Sequence, residues 1–143
     1  MSRVLVDSSC LVAAALPHHE HHTATLADLA RRRAAGHAFL VAAHSLVEAY
    51  AVLTRLPSPY RLSPVDALAV LDRNWSSMET VTLNGAESWR AVKHLAEAGV
   101  AGGRVYDGLI GECARKANAD ELLTWNVKHF AGPHGARALT PVG

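Results

Sequence analysis

Short apolar runs alternate with helix-length amphipathic segments along the whole 143-residue chain. Arg3-Val4-Leu5-Val6 is an apolar run ended by Asp7, and it reads as a buried strand. Ser8 and Ser9 follow as caps for a helix through residues 10–15, which stops before Pro17. Residues 23–35 form a second helix with Gly36 at its C-cap, and Ala38-Phe39-Leu40-Val41 a second strand. A helix over 44–56 ends at Pro57, and Ser63-Pro64 opens another that runs to about Asn74. A third strand is expected over 79–83 and a long helix over 84–98, with Gly99 beyond its end. After the glycine-rich connection 99–103 comes a helix over 105–118, then a fourth strand at 121–124 and a short fifth at 137–139. Strands alternating with helices imply parallel crossovers. The expected fold is α/β, a three-layer sandwich around a parallel sheet of four to five strands, in one domain spanning 1–143. In such sheets ligands gather at the carboxyl ends of the strands.

Half of the residues are hydrophobic, and 14 Lys+Arg against 13 Asp+Glu leave a net charge of +1. A chain this apolar and nearly neutral is not disordered, and it lacks the bulk charge for avid electrostatic binding to nucleic acid. The longest stretch without a charged side chain, 34–47, is too short to cross a bilayer and contains Gly36, His37 and His44. Cys10 and Cys113 are too few for a disulfide framework or a cysteine-based zinc site, and read as buried thiols. Asp7 interrupts the N-terminal apolar run too early for a signal peptide, so the expected compartment is the cytoplasm.

With bulk charge uninformative, the placement of individual acids decides the chemistry. Asp7 stands at the exit of the first strand; its structural alternative is a helix N-cap or first-turn acid. Glu48 and Arg55 are the only charged residues on the third helix before Pro57. His44, Glu48, Ala51 and Arg55 follow i, i+4, i+7, i+11 spacing in one narrow line. On a helix apolar nearly all round, Glu48 must be paired, for instance with Arg55, or placed in a cleft. Asp107 lies in the first turn of the helix after Gly102-Gly103, where an acid also complements the helix dipole. Asn126 falls just past the fourth strand. Three acids and an amide meeting at strand ends suit a hard divalent cation, Mg2+ or Mn2+, which takes carboxylate, amide and water oxygens. Such an ion lowers the pKa of bound water and neutralises charge building on a phosphodiester.

Four motifs occur in order: Val4-Leu5-Val6-Asp7-Ser8-Ser9, Leu46-Val47-Glu48-Ala49-Tyr50 through Thr54-Arg55-Leu56-Pro57, Val105-Tyr106-Asp107-Gly108-Leu109-Ile110, and Leu122-Leu123-Thr124-Trp125-Asn126-Val127-Lys128-His129-Phe130. In this the chain resembles the PIN-domain ribonucleases, and most closely the VapC toxins of VapBC toxin–antitoxin pairs, over essentially its whole length. The resemblance puts Asp7, Glu48 and Asp107 on the family's metal-binding acids and Asn126 on its fourth acidic position, where Asp is the commoner residue. Asn126 ligates or accepts through oxygen but lacks the charge. Asp120 precedes the same strand and lies roughly 15–20 Å away at about 3.3 Å per residue, so it is a poor substitute. Thr124 matches the hydroxyl residue near the metal, with Ser8 and Arg55 in support. The resemblance implies Mg2+-dependent (or Mn2+-dependent) endonucleolytic cleavage of structured RNA such as transfer or ribosomal RNA, inhibition by a cognate VapB-like antitoxin, and a homodimer.

Local basic residues then become relevant. Arg31-Arg32-Arg33 and Arg104 are candidate RNA contacts, although three arginines at a helix C-terminus also simply complement its dipole. His18-His19-Glu20-His21-His22 reads as a solvated turn, and Trp75, Trp89 and Trp125 are too scattered for a base-stacking platform. Gly102-Gly103 lacks the downstream residues of a dinucleotide or phosphate-binding loop. Two other functions compete. One is a PIN-fold RNA- or protein-binding module without catalysis, suggested by Asn126. The other is a phosphatase using Asp7 as nucleophile, which wants a second acid where this chain has Ser9.

Overall fold

The computed structural model describes residues 2–130 and 135–142. Its elements are β1 (Arg3–Val6), α1 (Ser8–Ala15), α2 (His22–Ala34), β2 (Ala38–Ala42), α3 (Ala43–Arg55), α4 (Pro64–Trp75), β3 (Glu79–Val81), α5 (Gly85–Glu97), α6 (Arg104–Lys116), β4 (Glu121–Leu123), a 3-10 turn at Val127–Phe130, and β5 (Arg137–Leu139). All pairings in the five-stranded sheet are parallel, in the order β3-β2-β1-β4-β5.

Period-two alternation along β1 sorts the core into two layers. Val4 and Val6 face one way and pack with Leu11 of α1, Leu29 of α2, Leu53 of α3 and Leu71 of α4. Leu5 faces the other way and packs with Leu40, Leu122 and, from α6, Ile110 and Cys113. α5 lies against α6, where Gly108 permits the approach: a Cβ there would collide with Leu95 Cδ2. The result is the expected three-layer sandwich, with α1–α4 on one face and α5–α6 on the other. Because crossovers between parallel strands are right-handed, the change of face accompanies a change of direction along the sheet. That reversal falls between β1 and β4, and it opens the crevice where ligands of such sheets bind.

Boundaries shift at several points for local reasons. α4 begins as expected, with Ser63 Oγ accepting from the Asp66 N–H at 3.1 Å and proline in the first turn. Asn84 caps α5 in a reciprocal pair with Glu87. Gly36, at a φ of 81°, takes the left-handed conformation that follows α2. β3 and β4 are shorter than expected, and Thr124 falls one residue past the end of β4. Ser8 and Ser9 do not cap α1. They occupy its first two helical positions, and Asp7 is the N-cap, but its side chain makes no capping bond. Its carboxylate is held elsewhere.

Candidate active site

Asp7 leaves β1 with its backbone N–H still bonded to Leu123 O at 2.9 Å, so the two central strand ends are pinned together. Its carboxylate is 3% exposed and lies among hydroxyls. Thr124 Oγ1 donates to Asp7 Oδ2 at 2.8 Å, and Ser9 Oγ donates to the same oxygen at 2.9 Å. The backbone orients both hydroxyls: Asn126 N–H donates to Thr124 Oγ1 at 3.0 Å, and Trp125 N–H to Ser9 Oγ at 3.0 Å. With those lone pairs occupied, each hydroxyl proton points to the carboxylate. Ser8 Oγ donates to Glu48 Oε1 at 3.0 Å and lies 3.5 Å from Asp7 Oδ1. It thereby joins the acid of α3 to the acid of β1.

Asp107 enters from the first turns of α6, on the other face of the sheet. Its carboxyl is pushed above the usual carboxylate range, chiefly by burial; His129 opposes this, and the charges of Asp7 and Glu48 add to it. The three acids are therefore close enough to repel one another. His129 Nδ1 stands 3.4 Å from Asp107 Oδ2, and Arg104 at the start of α6 also pulls Asp107 down. His44, in the first turn of α3, is pushed below the ordinary histidine range by burial, against the pull of Glu48 and Asp7. Its Nε2 is buried without a partner among the described residues.

The crevice thus collects Asp7, Glu48, Asp107, Thr124 and Ser8, while Asn126 stands exposed on its rim. Among the described residues, no group of three or more His, Cys, Asp or Glu is close enough to hold a metal ion as one direct cage. The three acids nonetheless supply carboxylate oxygens, with the imidazoles of His129 and His44 beside them, and the charges of Asp7 and Glu48 reach Asp107. That fits Mg2+ or Mn2+, which keep several waters and need only one or two direct carboxylates. The two thiols lie apart, Cys10 in one core layer and Cys113 in the other.

Several expected residues sit elsewhere. Arg55 is exposed at the end of α3 and forms no ion pair with Glu48; their separation of seven positions spans about 10 Å along the helix. Arg31 and Arg32 both pair with Asp28, and Arg32 also reaches Glu121 at 3.0 Å, while Arg33 lies over the Phe39 ring. Glu121 opens β4, so this basic cluster lies at the strand starts, across the sheet from Asp7. Asp120 is there too, accepting from the Arg3 N–H at 2.8 Å.

Sequence reasoning assigned Ser9 to capping and missed its bond to Asp7, although its position two residues beyond a strand-end acid was a usable signal. It also missed His129, which only the 3-10 turn brings to Asp107. The histidine turn is not simply solvated. His18 stacks on Tyr60, His22 Nδ1 pairs with Ala13 O at 2.8 Å, and His21 stacks on Trp125. The cause is the short loop between α1 and α2, which folds the turn back over the crevice. Among the described residues no helix is long and apolar enough to cross a membrane.

Known proteins are similar to this chain in sequence and in fold. Two curated relatives come from Mycobacterium tuberculosis. Ribonuclease VapC40 is 38% identical over 122 residues, 85% of each chain. Ribonuclease VapC27 is 34% identical over 119 residues, 83% of this chain and 81% of its own. Among solved structures, VapBC2 from Rickettsia felis, bound to a promoter DNA fragment, superposes with a TM-score of 0.71 at 18% identity, covering 96% of this chain and 98% of that one. VapC20 of Mycobacterium tuberculosis, a Sarcin-Ricin loop cleaving toxin, gives 0.69 at 16% identity, covering 90% and 93%. A family model described as PIN domain matches residues 4–130. With the family model matched over most of the chain and relatives at 34–38% identity, the chain belongs to the PIN-domain family.

Proposed function

We propose that this protein is a divalent-metal-dependent endoribonuclease, the toxin of a toxin–antitoxin pair, cutting phosphodiester bonds in structured RNA. The observation that carries the reading is the Asp7 carboxylate, buried at the β1/β4 reversal, fixed by Thr124 and Ser9, and joined through Ser8 to Glu48. Relatives named as ribonucleases, at 34–38% identity, support the reaction class.

Asp7, Glu48 and Asp107 would hold Mg2+ or Mn2+, directly or through water. The ion supplies charge neutralisation at the phosphate and a lowered pKa for attacking water. The chain's own residues set the stage. Thr124 and Ser9 hold the Asp7 carboxylate in place through two hydroxyl donors on one oxygen. Ser8 fixes the spacing of Asp7 and Glu48. Arg104, exposed beside Asp107, offers a cation for the RNA backbone.

The partner is a VapB-like antitoxin, as in the VapBC complexes that share the fold. Exposed apolar side chains suit it and a second copy of this chain: Val47 on α3, Val65 and Leu68 on α4, Trp89 and Val92 on α5. The proposed site of action is the cytoplasm.

The test is cleavage of transfer and ribosomal RNA by purified protein during Mg2+ or Mn2+ titration, with Asp7→Asn as control. Metal-dependent cleavage lost in the variant supports the reading; equal cleavage by the variant sinks it. The exposed, neutral Asn126 favours a second reading, a PIN-fold RNA-binding module. That reading requires RNA binding with no cleavage at any metal concentration.

A further inference from the structure

Beside the acids lies a second feature that the cleavage chemistry does not use. A cleft of about 390 Å³ runs from Ser8, Glu48 and Asn126 to the turn between α1 and α2, where His19 and His21 line it with Trp125. His21 lies flat on the Trp125 indole, with centroids 3.7 Å apart and planes 8° from parallel. The indole cannot turn away: its Nε1–H donates to Thr25 Oγ1 at 3.0 Å, and the ring packs against the buried core. Thr25 is wholly buried, and its hydroxyl donates to His21 O at 2.7 Å, which ties the turn to the same anchor. The His21 N–H donates to His19 Nδ1 at 3.0 Å, fixing the adjacent wall. One face of the imidazole is covered by Trp125, yet the side chain remains 36% exposed. This is a rigid two-ring stack whose imidazole stays partly exposed, with the His19 ring tilted 45° to it at 5.7 Å and Glu20 Oε1 3.4 Å from its Nε2, at the mouth of a cleft that begins at the candidate acids.

Flat, immobilised rings with one free face are what single-stranded RNA uses for its unpaired bases. We propose that this cleft is a nucleobase subsite, in which an unpaired base flanking the scissile phosphate stacks against the exposed part of the His21 ring, between it and the His19 wall, backed by Trp125. The proposal rests on the endoribonuclease reading above and adds where the substrate's bases go. It explains why a nearly neutral surface suffices: stacking supplies affinity that backbone charge does not. It also makes an unpaired nucleotide beside the cut a requirement, because a base held in a duplex has no face to offer. Trp125 therefore contributes as one ring of a pair with His21, without the other two tryptophans. Trp75 is buried in the core, and Trp89 stands exposed on α5.

The test uses the full chain in EDTA, so that binding is read apart from cleavage. The probe is a short single-stranded RNA carrying one 2-aminopurine, whose fluorescence falls on stacking. The expected result is quenching by the parent, affinity reduced roughly 5- to 100-fold in His21→Ala, and recovery in His21→Phe, which keeps a ring but no charge. An RNA with an abasic position replacing 2-aminopurine should bind His21→Ala and the parent alike. Circular dichroism checks that each variant is folded; His21 is the chosen position because Trp125 also supports the core. Equal affinity of His21→Ala and parent for the 2-aminopurine RNA overturns the proposal, as does failure of His21→Phe to recover binding. The two readings fail separately. No cleavage with any divalent ion, alongside His21-dependent quenching, removes the nuclease reading and leaves the base site. Cleavage with unchanged kcat and KM in His21→Ala does the opposite.

Discussion

Thr124 Oγ1 donates to Asp7 Oδ2 at 2.8 Å across the β1/β4 boundary, between two fully or nearly fully buried side chains. One residue past the end of β4, Thr124 still takes part in the sheet's edge, its N–H bonded to Leu139 O at 2.9 Å. The threonine therefore links the rigid part of the fold to a carboxylate almost closed to solvent.

Replacing that hydroxyl tests both roles. Thr124→Val keeps the shape but removes the donor, leaving Asp7 Oδ2 with Ser9 alone and the Asn126 N–H without its acceptor. Losing a partner of a buried charge costs about 1.5–3 kcal/mol, so the urea midpoint should fall accordingly. Cleavage should drop by more than stability explains, because Asp7 loses its orientation. Thr124→Ser should recover most of both. Full activity in Thr124→Val would show that Ser9 alone positions Asp7.

Asn126→Asp should strengthen divalent ion binding. The side chain is exposed on the crevice rim, and a carboxylate there adds a charge to a site already negative enough to raise Asp107. One added charge at short range in a partly solvated site is worth on the order of 1–2 kcal/mol, or roughly tenfold in half-saturating Mg2+. Calorimetric Mn2+ titration of the two proteins reads this directly. Identical affinities would mean that position 126 does not face the ion.

How much of this was legible in the sequence follows from what each residue depends on. β1 and Asp7 were plain, because a run of apolar residues broken by an acid is a local signal. Glu48 was visible through its isolation on an apolar helix. The direction of the Ser8 and Ser9 hydroxyls was not, since caps and carboxylates compete for the same donors and only the β1/β4 pairing settles the contest. The arginine triplet was half legible: Asp28 stands one turn before Arg31 and Arg32 on α2, whereas Glu121 meets Arg32 only through the fold. His21 on Trp125 joins residues more than a hundred positions apart, and no periodicity announces that.

The Asp28 cluster should matter for stability and not for cleavage. Asp28 is 1% exposed, bonded to Arg31, to Arg32 Nε at 2.7 Å and to the Val142 N–H at 3.2 Å. Asp28→Ala leaves the largely buried Arg32 guanidinium with Glu121 alone and should cost about 3 kcal/mol, lowering Tm by roughly 10 °C. The cluster lies at the far edge of the sheet, so kcat/KM per folded molecule should be unchanged at 20 °C. A large loss of kcat/KM in folded protein would place these arginines on the RNA path instead.

The two thiols should make stability fall in alkali. Burial pushes Cys113 up from 9.0 to about 11, with Glu112 and Glu87 adding and Lys116 opposing. Burial next to Asp7 pushes Cys10 up as well. In the unfolded chain both ionise near their ordinary value, so above pH 9 the unfolded state binds fewer protons than the folded one. Stability therefore falls as pH rises from 9 toward 11, by about 1.4 kcal/mol per pH unit for each thiol. Below pH 8 this contribution is constant. Urea melts at pH 8, 9 and 10 should show the decline for the parent, with the slope reduced by about half in Cys113→Ala. Ellman's reagent at pH 8 should find neither thiol in the folded protein and both in 8 M urea. Rapid native labelling of Cys113 would show that α6 opens from the sheet far more readily than its packing against Leu5 and Leu122 implies.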